Sequence, residues 1–146
     1  MSTETPQVDG DPRAEAQWVK VTIKNWVTSS SIKVQDAQLD WGKFYNGDDK
    51  SDELKASEIN SIVIAPSQSR TVSASGRANA SSGTEGSFSL YEGSTKICKV
   101  YWNCPWGKKD NDFEVSTDSA RHTVTVGDWN KNSGAIGNVN VDVERF

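Results

Sequence analysis

The pattern that most restricts this chain is a period of two. Val19, Val21, Ile23 and Val27 fall on one side of an extended segment and Trp18, Lys20, Thr22, Lys24 and Trp26 on the other. That is the alternation of a strand with one buried face. Shorter runs of the same kind recur at 32–41, 59–65, 70–75, 87–91, 96–103, 112–116, 122–126 and 135–143, separated by Gly, Ser, Asn and Pro turns. With about nine short strands, polar turns between them and no long stretch at helical spacing, the chain is predicted to be an all-β, single-domain antiparallel β-sandwich. Residues 15–146 form this domain, and residues 1–14, rich in Pro, Asp, Thr and Gly, read as a flexible tail.

Local signals refine the picture. Ile32 and Val34 lie in one phase and Ala37, Leu39 and Trp41 in the other, so a β-bulge is expected across Gln35 and Asp36. Glu92-Gly93-Ser94 reads as a hairpin turn. Residues 48–60 lack strand character and read as a solvated loop with room for one helical turn around 52–56. The acidic run 48–52 lacks the alternating ligands and central glycine of an EF-hand loop.

Composition excludes several functions. A formal net charge of −4 with no block of basic residues leaves a nucleic-acid partner without its main source of affinity. It also argues against general attraction to an anionic membrane surface. No apolar run approaches the ~20 residues of a spanning helix, and the N-terminus has no signal-peptide pattern, so the chain is expected to be made in the cytoplasm. Cys98 and Cys104, six positions apart on one strand, would lie ~20 Å from each other when extended, too far for a disulfide. Two half-buried free thiols are expected.

Catalytic material is scarce. The single histidine, His122, opens a strand and reads as a surface residue, which leaves neither a histidine metal site nor a Ser-His-Asp nucleophile. No carboxylate pair has an apolar setting suited to acid catalysis. The chain reads as a binder, not an enzyme, with no metal and no cofactor.

What stands out is aromatic. Six tryptophans, Trp18, Trp26, Trp41, Trp102, Trp106 and Trp129, exceed the needs of one core. Three segments place tryptophan beside lysine at strand ends: Trp41-Gly42-Lys43-Phe44-Tyr45, Cys104-Pro105-Trp106-Gly107-Lys108-Lys109 and Trp129-Asn130-Lys131. Pro105 and Gly107 place Trp106 near a loop tip with its ring turned outward. A ring that enters an apolar boundary while its N–H stays with water suits a membrane interface. Trp18, Trp41 and Trp106 are the expected ring contacts. Lys43 and Lys109 are expected to donate to a phosphodiester, and Tyr45 with the tryptophans to receive an ammonium. The small-residue loop 76–86, including Ser82, reads either as a flexible connection or as a headgroup contact. A lectin is the alternative, since loop tryptophans and asparagines also suit sugars.

The motifs Ala16-Gln17-Trp18-Val19, Trp41-Gly42-Lys43, Gly76-Arg77, Gly83-Thr84 with Gly86, Tyr101-Trp102 with Cys104-Pro105-Trp106-Gly107, and Trp129-Asn130-Lys131 with Gly134-Ala135-Ile136-Gly137 together resemble the aegerolysin family from about residue 16 to 144. The resemblance implies a haemolysin-like β-sandwich that recognises sphingomyelin in cholesterol-rich membranes or invertebrate ceramide phosphoethanolamine. It implies extracellular action at target-cell membranes beside a larger pore-forming partner, commonly perforin-like, and some bacterial relatives form insecticidal pairs. Ser75, Asn79, Asn103 and Ser82 stand where many relatives carry Cys, Asp, Asp and an acidic residue, which leaves the headgroup open.

Overall fold

Alternation becomes two facing sheets in the computed structural model, which describes residues 12–146. The expected tail lies outside the described residues over positions 1–11. The elements are α1 (Pro12–Glu15), β1 (Trp18–Asn25), β2 (Ile32–Trp41), β3 (Lys43–Asn46), β4 (Asp49–Leu54), α2 (Ala56–Ile59), β5 (Val63–Ile64), β6 (Ser69–Ser75), β7 (Thr84–Glu92), β8 (Thr95–Cys104), β9 (Asp112–Thr117), β10 (His122–Val126) and β11 (Gly137–Arg145). A six-stranded sheet runs β10-β11-β1-β6-β3-β4 and a five-stranded sheet β5-β2-β7-β8-β9. The pairings are antiparallel except that of β1 with β11, which runs parallel.

The aliphatic phase of β1 faces inward as the sequence dictates. Val19, Val21 and Ile23 meet Val139, Val141 and Val143 of β11 and, across the sandwich, Phe88, Leu90, Val100 and Trp102. Trp102 is fully buried. Its indole N–H donates to Thr84 Oγ1 at 3.0 Å, and its ring lies 6.2 Å from Phe44 and 6.0 Å from Phe88. A buried indole needs such a partner for its polar atom. Cys98 and Cys104 are free thiols, as expected, but wholly buried and not half-buried. Desolvation pushes them to about 12 and about 11, which leaves neither as a thiolate near neutrality.

The expected bulge is present. Pairing of β2 with β7 slips between Gln35 and Gln38, with Asp36 at φ 58°. A sharper break follows at Gly42, with φ 92°, where a side chain would strike the Ser75 carbonyl and Thr84. Only glycine fits there. The chain crosses at this point from the five-stranded to the six-stranded sheet, so Trp41 and Lys43, two positions apart, belong to different layers.

Three expectations are corrected. Eleven strands are present among the described residues, not nine. Segment 48–60 is not a loop: it holds β4, the edge of the six-stranded sheet, and then α2. The run 59–65 shrinks to the two-residue β5, because Ile59 closes α2. An edge strand exposed on both sides carries no apolar alternation, and its charges discourage pairing with another chain.

Candidate functional site

Residues directly opposite one another on paired strands share a face. Register therefore sets Trp41, Glu85, Asn103 and Asp112 side by side across β2, β7, β8 and β9, on the outward surface of the five-stranded sheet near one end. Beyond them the loops 76–83 and 105–111 rise and enclose a hollow of about 740 Å3. Its walls include Trp41, Ser82, Glu85, Asn103, Trp106, Lys108 and Lys109. The two loops approach so closely that a Cβ on Gly83 would strike the Cys104 carbonyl, and the first loop is tied down by Gly76 N donating to Gln17 O at 3.0 Å.

The sequence-predicted residues divide into two groups. Trp41, Ser82, Trp106 and Lys109 come together in this hollow. Trp41 is the projecting ring, 60% exposed. Trp106, expected to project at a loop tip, is instead half-buried with its indole nitrogen covered, and serves as a wall. Lys108 and Lys109 are exposed.

Trp18, Lys43 and Tyr45 gather elsewhere, on the outer surface of the six-stranded sheet. Trp18 and Lys43 both lie opposite Ser75, and Tyr45 lies opposite Ser73. Lys43 is only 8% exposed, held by Glu15 of α1 at 2.6 Å, while Lys50 Nζ donates to the Glu15 carbonyl at 2.6 Å and stands 5.6 Å from the Trp18 ring. Tyr45 is 2% exposed; burial, with help from Asp48, raises its hydroxyl to about 12. Lys43 and Tyr45 thus do not reach the hollow as headgroup contacts: α1 and β4 cover them. The reason is Gly42, which turns the chain into the other sheet immediately after Trp41.

Glu85 was not legible from sequence. It sits next to Trp41 only because of register, and its Oε2 accepts a hydrogen bond of 2.5 Å from the Tyr101 hydroxyl. Desolvation first, and then Glu85, raise the Tyr101 hydroxyl well above its ordinary value, so it stays a donor. Trp129 packs on Phe113 at 6.0 Å with Lys131 Nζ 5.7 Å from its ring, and it adds no wall to the hollow.

At the opposite end His122 overturns its reading as a surface residue. It is buried, with Nδ1 2.6 Å from Ser119 Oγ and Nε2 2.7 Å from Glu92 Oε1. Arg145 Nε lies 3.5 Å from Glu92 Oε2, and Arg145 Nη2 donates to Ser29 Oγ at 2.7 Å. Burial works against the charged form of Glu92, yet His122, Ser30 and Arg145 outweigh it and hold the carboxyl below its usual range. Among the described residues no group of three or more His, Cys, Asp or Glu side chains suits a metal ion, and no helix is long and apolar enough to cross a membrane.

Similarity to known proteins agrees with this architecture. Asp-hemolysin of Aspergillus fumigatus is 45% identical over 91% of this chain and 96% of its own length. The crystal structure of RahU in complex with a Tris molecule superposes with a TM-score of 0.86 at 32% identity, covering 91% of this chain and 98% of RahU. IP-1A from Alcaligenes faecalis gives 0.84 at 42% identity over 92% and 94% of the two chains. The family model named Aegerolysin matches residues 16–146. The chain therefore belongs to the aegerolysin family, whose haemolysin-like β-sandwich members bind membrane lipids.

Proposed function

We propose that this protein is the sphingolipid-binding component of a two-component cytolysin or insecticidal toxin, docking on target membranes through the hollow and recruiting a separate pore-forming protein. The observation that carries the reading is Trp41, a large ring 60% exposed at the mouth of a hollow whose walls include Trp106 and two lysines. For an acidic protein facing a neutral lipid surface, ring insertion supplies affinity that charge does not. Trp18, Lys43 and Tyr45, which lie away from the hollow, drop out of the contact set, and Lys108 and Glu85 enter it.

Binding and perforation separate on physical grounds. A transmembrane barrel needs lipid-facing strands of ~9–11 residues. The strands described here are all paired within the two sheets of the sandwich. The reading therefore assigns the hole to a partner, with sterol acting through the packing of the target lipid.

The test is cosedimentation with liposomes that vary sphingomyelin, ceramide phosphoethanolamine and sterol, paired with dye release. Sphingolipid-dependent binding without efficient release by this protein alone is the expected result. Binding that survives sphingolipid depletion and yields to free sugar would place the hollow among lectin sites.

A further inference from the structure

Positive charge is in the minority in this chain, whose formal net charge is −4. The end of the sandwich away from Trp41 nonetheless holds a second hollow, of about 440 Å3, whose walls include Ser31, Glu92, Thr95, Arg121, His122 and Arg145. Two guanidinium groups there meet one carboxylate, and that carboxylate is already engaged. Glu92 Oε1 lies 2.7 Å from His122 Nε2 and its Oε2 lies 3.5 Å from Arg145 Nε. Arg145 is fixed again through Nη2, which donates to Ser29 Oγ at 2.7 Å. Arg121 differs. Its N–H donates to Ser119 Oγ at 3.2 Å and its carbonyl accepts from Phe146 N at 3.1 Å, so the backbone is held on both sides. Its side chain is exposed and belongs to none of the ion pairs among the described residues.

We propose that this second hollow binds the phosphate or sulfate monoester of a sugar-sized polyol, with Arg121 as the main anion contact and the Ser31 and Thr95 hydroxyls as further donors. An arginine fork matches two oxygens of a tetrahedral oxyanion, and hydroxyls reach the third. Acidic groups elsewhere on the chain weigh little, because beyond a Debye length of about 8 Å they are screened and the charges in contact decide. A volume of about 440 Å3 lies in the range of small-molecule sites and exceeds what a bare oxyanion fills. No Trp, Tyr or Phe lines it, so the carrier that fits is one that hydrogen-bonds rather than stacks. The inference stands apart from the lipid-binding reading, since a ligand here leaves the Trp41 hollow open.

The experiment titrates the full chain with glucose 6-phosphate, glucose 6-sulfate, inorganic phosphate and glucose in a phosphate-free, low-salt buffer, followed by backbone amide NMR shifts. Both esters are expected to bind with a dissociation constant of about 1 mM or tighter, with shifts centred on Gly93, Thr95 and Arg121. Glucose and inorganic phosphate should bind at least about ten-fold more weakly. Arg121→Gln should weaken both esters about ten-fold at an unchanged thermal midpoint, the loss of a charge-assisted contact. Thr95→Val, matched in shape, should weaken them about three-fold, the worth of one neutral hydrogen bond. The double variant Lys108→Gln with Lys109→Gln should bind them as wild type does. The proposal is overturned if both esters bind more weakly than ~10 mM, if glucose or inorganic phosphate binds as tightly as they do, or if Arg121→Gln keeps wild-type affinity. Loss of ester binding in the double lysine variant would place the ligand in the Trp41 hollow and overturn it equally.

Discussion

The two ends of this sandwich are built from the same strands and finished in opposite ways. β7 starts beside the hollow with Glu85 and ends at Glu92, and β8 returns from Thr95 to Cys104. At the Glu92 end the charges close on one another: His122, Arg145, Ser30 and Ser119 consume the carboxylate and the imidazole. At the Glu85 end the carboxylate accepts from a tyrosine hydroxyl, and among the described residues it forms no ion pair with the lysines. Satisfied polar groups stabilise a fold, whereas unspent ones are available to a ligand. The Glu92 end is a clasp around a smaller hollow of about 440 Å3, and the Glu85 end is the proposed receptor.

Substitutions that break or sharpen this contrast differ in size. Trp41→Ala has the largest expected effect: a loss of about 2 kcal/mol in vesicle binding, some thirty-fold, with the thermal midpoint unmoved. A drop in midpoint with binding retained would make that ring part of the scaffold. Glu92→Ala is expected to do the reverse, costing about 1.5 kcal/mol of unfolding free energy while vesicle affinity stays the same. Denaturant titration and cosedimentation on the same preparation decide it.

Acid tests the clasp further. Glu92 has a folded-state pKa below its unfolded one, so its stabilising contribution is complete above the ordinary glutamate range and is lost as pH falls through the depressed folded value. Glu92→Gln should therefore flatten the stability profile over that acidic window. An unchanged slope would show that other carboxylates set it. The smallest effect is expected for Trp26→Ala. Trp26 is 52% exposed, with Lys24 Nζ 4.8 Å from its ring, and it leaves β1 toward the clasp end. Its loss should change stability by no more than about 0.5 kcal/mol and vesicle binding not at all. A binding defect there would end the distinction between the two ends.

Sequence carried the inner faces well and the outer ones poorly. The alternation of β1 and the phase slip at Gln35 and Asp36 were legible because burial on one side writes a period into the chain. β4 was not, since an edge strand with both faces in water has no such constraint. In the hollow, Trp41, Trp106 and Lys109 could be found because tryptophan beside lysine at a strand end is a local signal, and Ser82 because it lies in a loop of small, hydrogen-bonding residues. Lys43 and Tyr45 carried the same signal and meant something else, because one glycine between two sheets is enough to redirect them. Glu85 and the His122–Glu92 contact depend on strands brought together from distant parts of the chain, and no local pattern records that.

The parallel pairing of β1 with β11 has a practical consequence for anyone attaching something to this protein. Two strands that run the same way start together and finish together, so Trp18 begins at the proposed receptor end while Arg145 finishes at the clasp end, roughly 30 Å away at about 3.3 Å per residue. A fluorophore or purification handle appended after Phe146 would trail into solvent while the protein sits on a bilayer. The same cargo placed just ahead of α1 would start from the side proposed to meet the lipid.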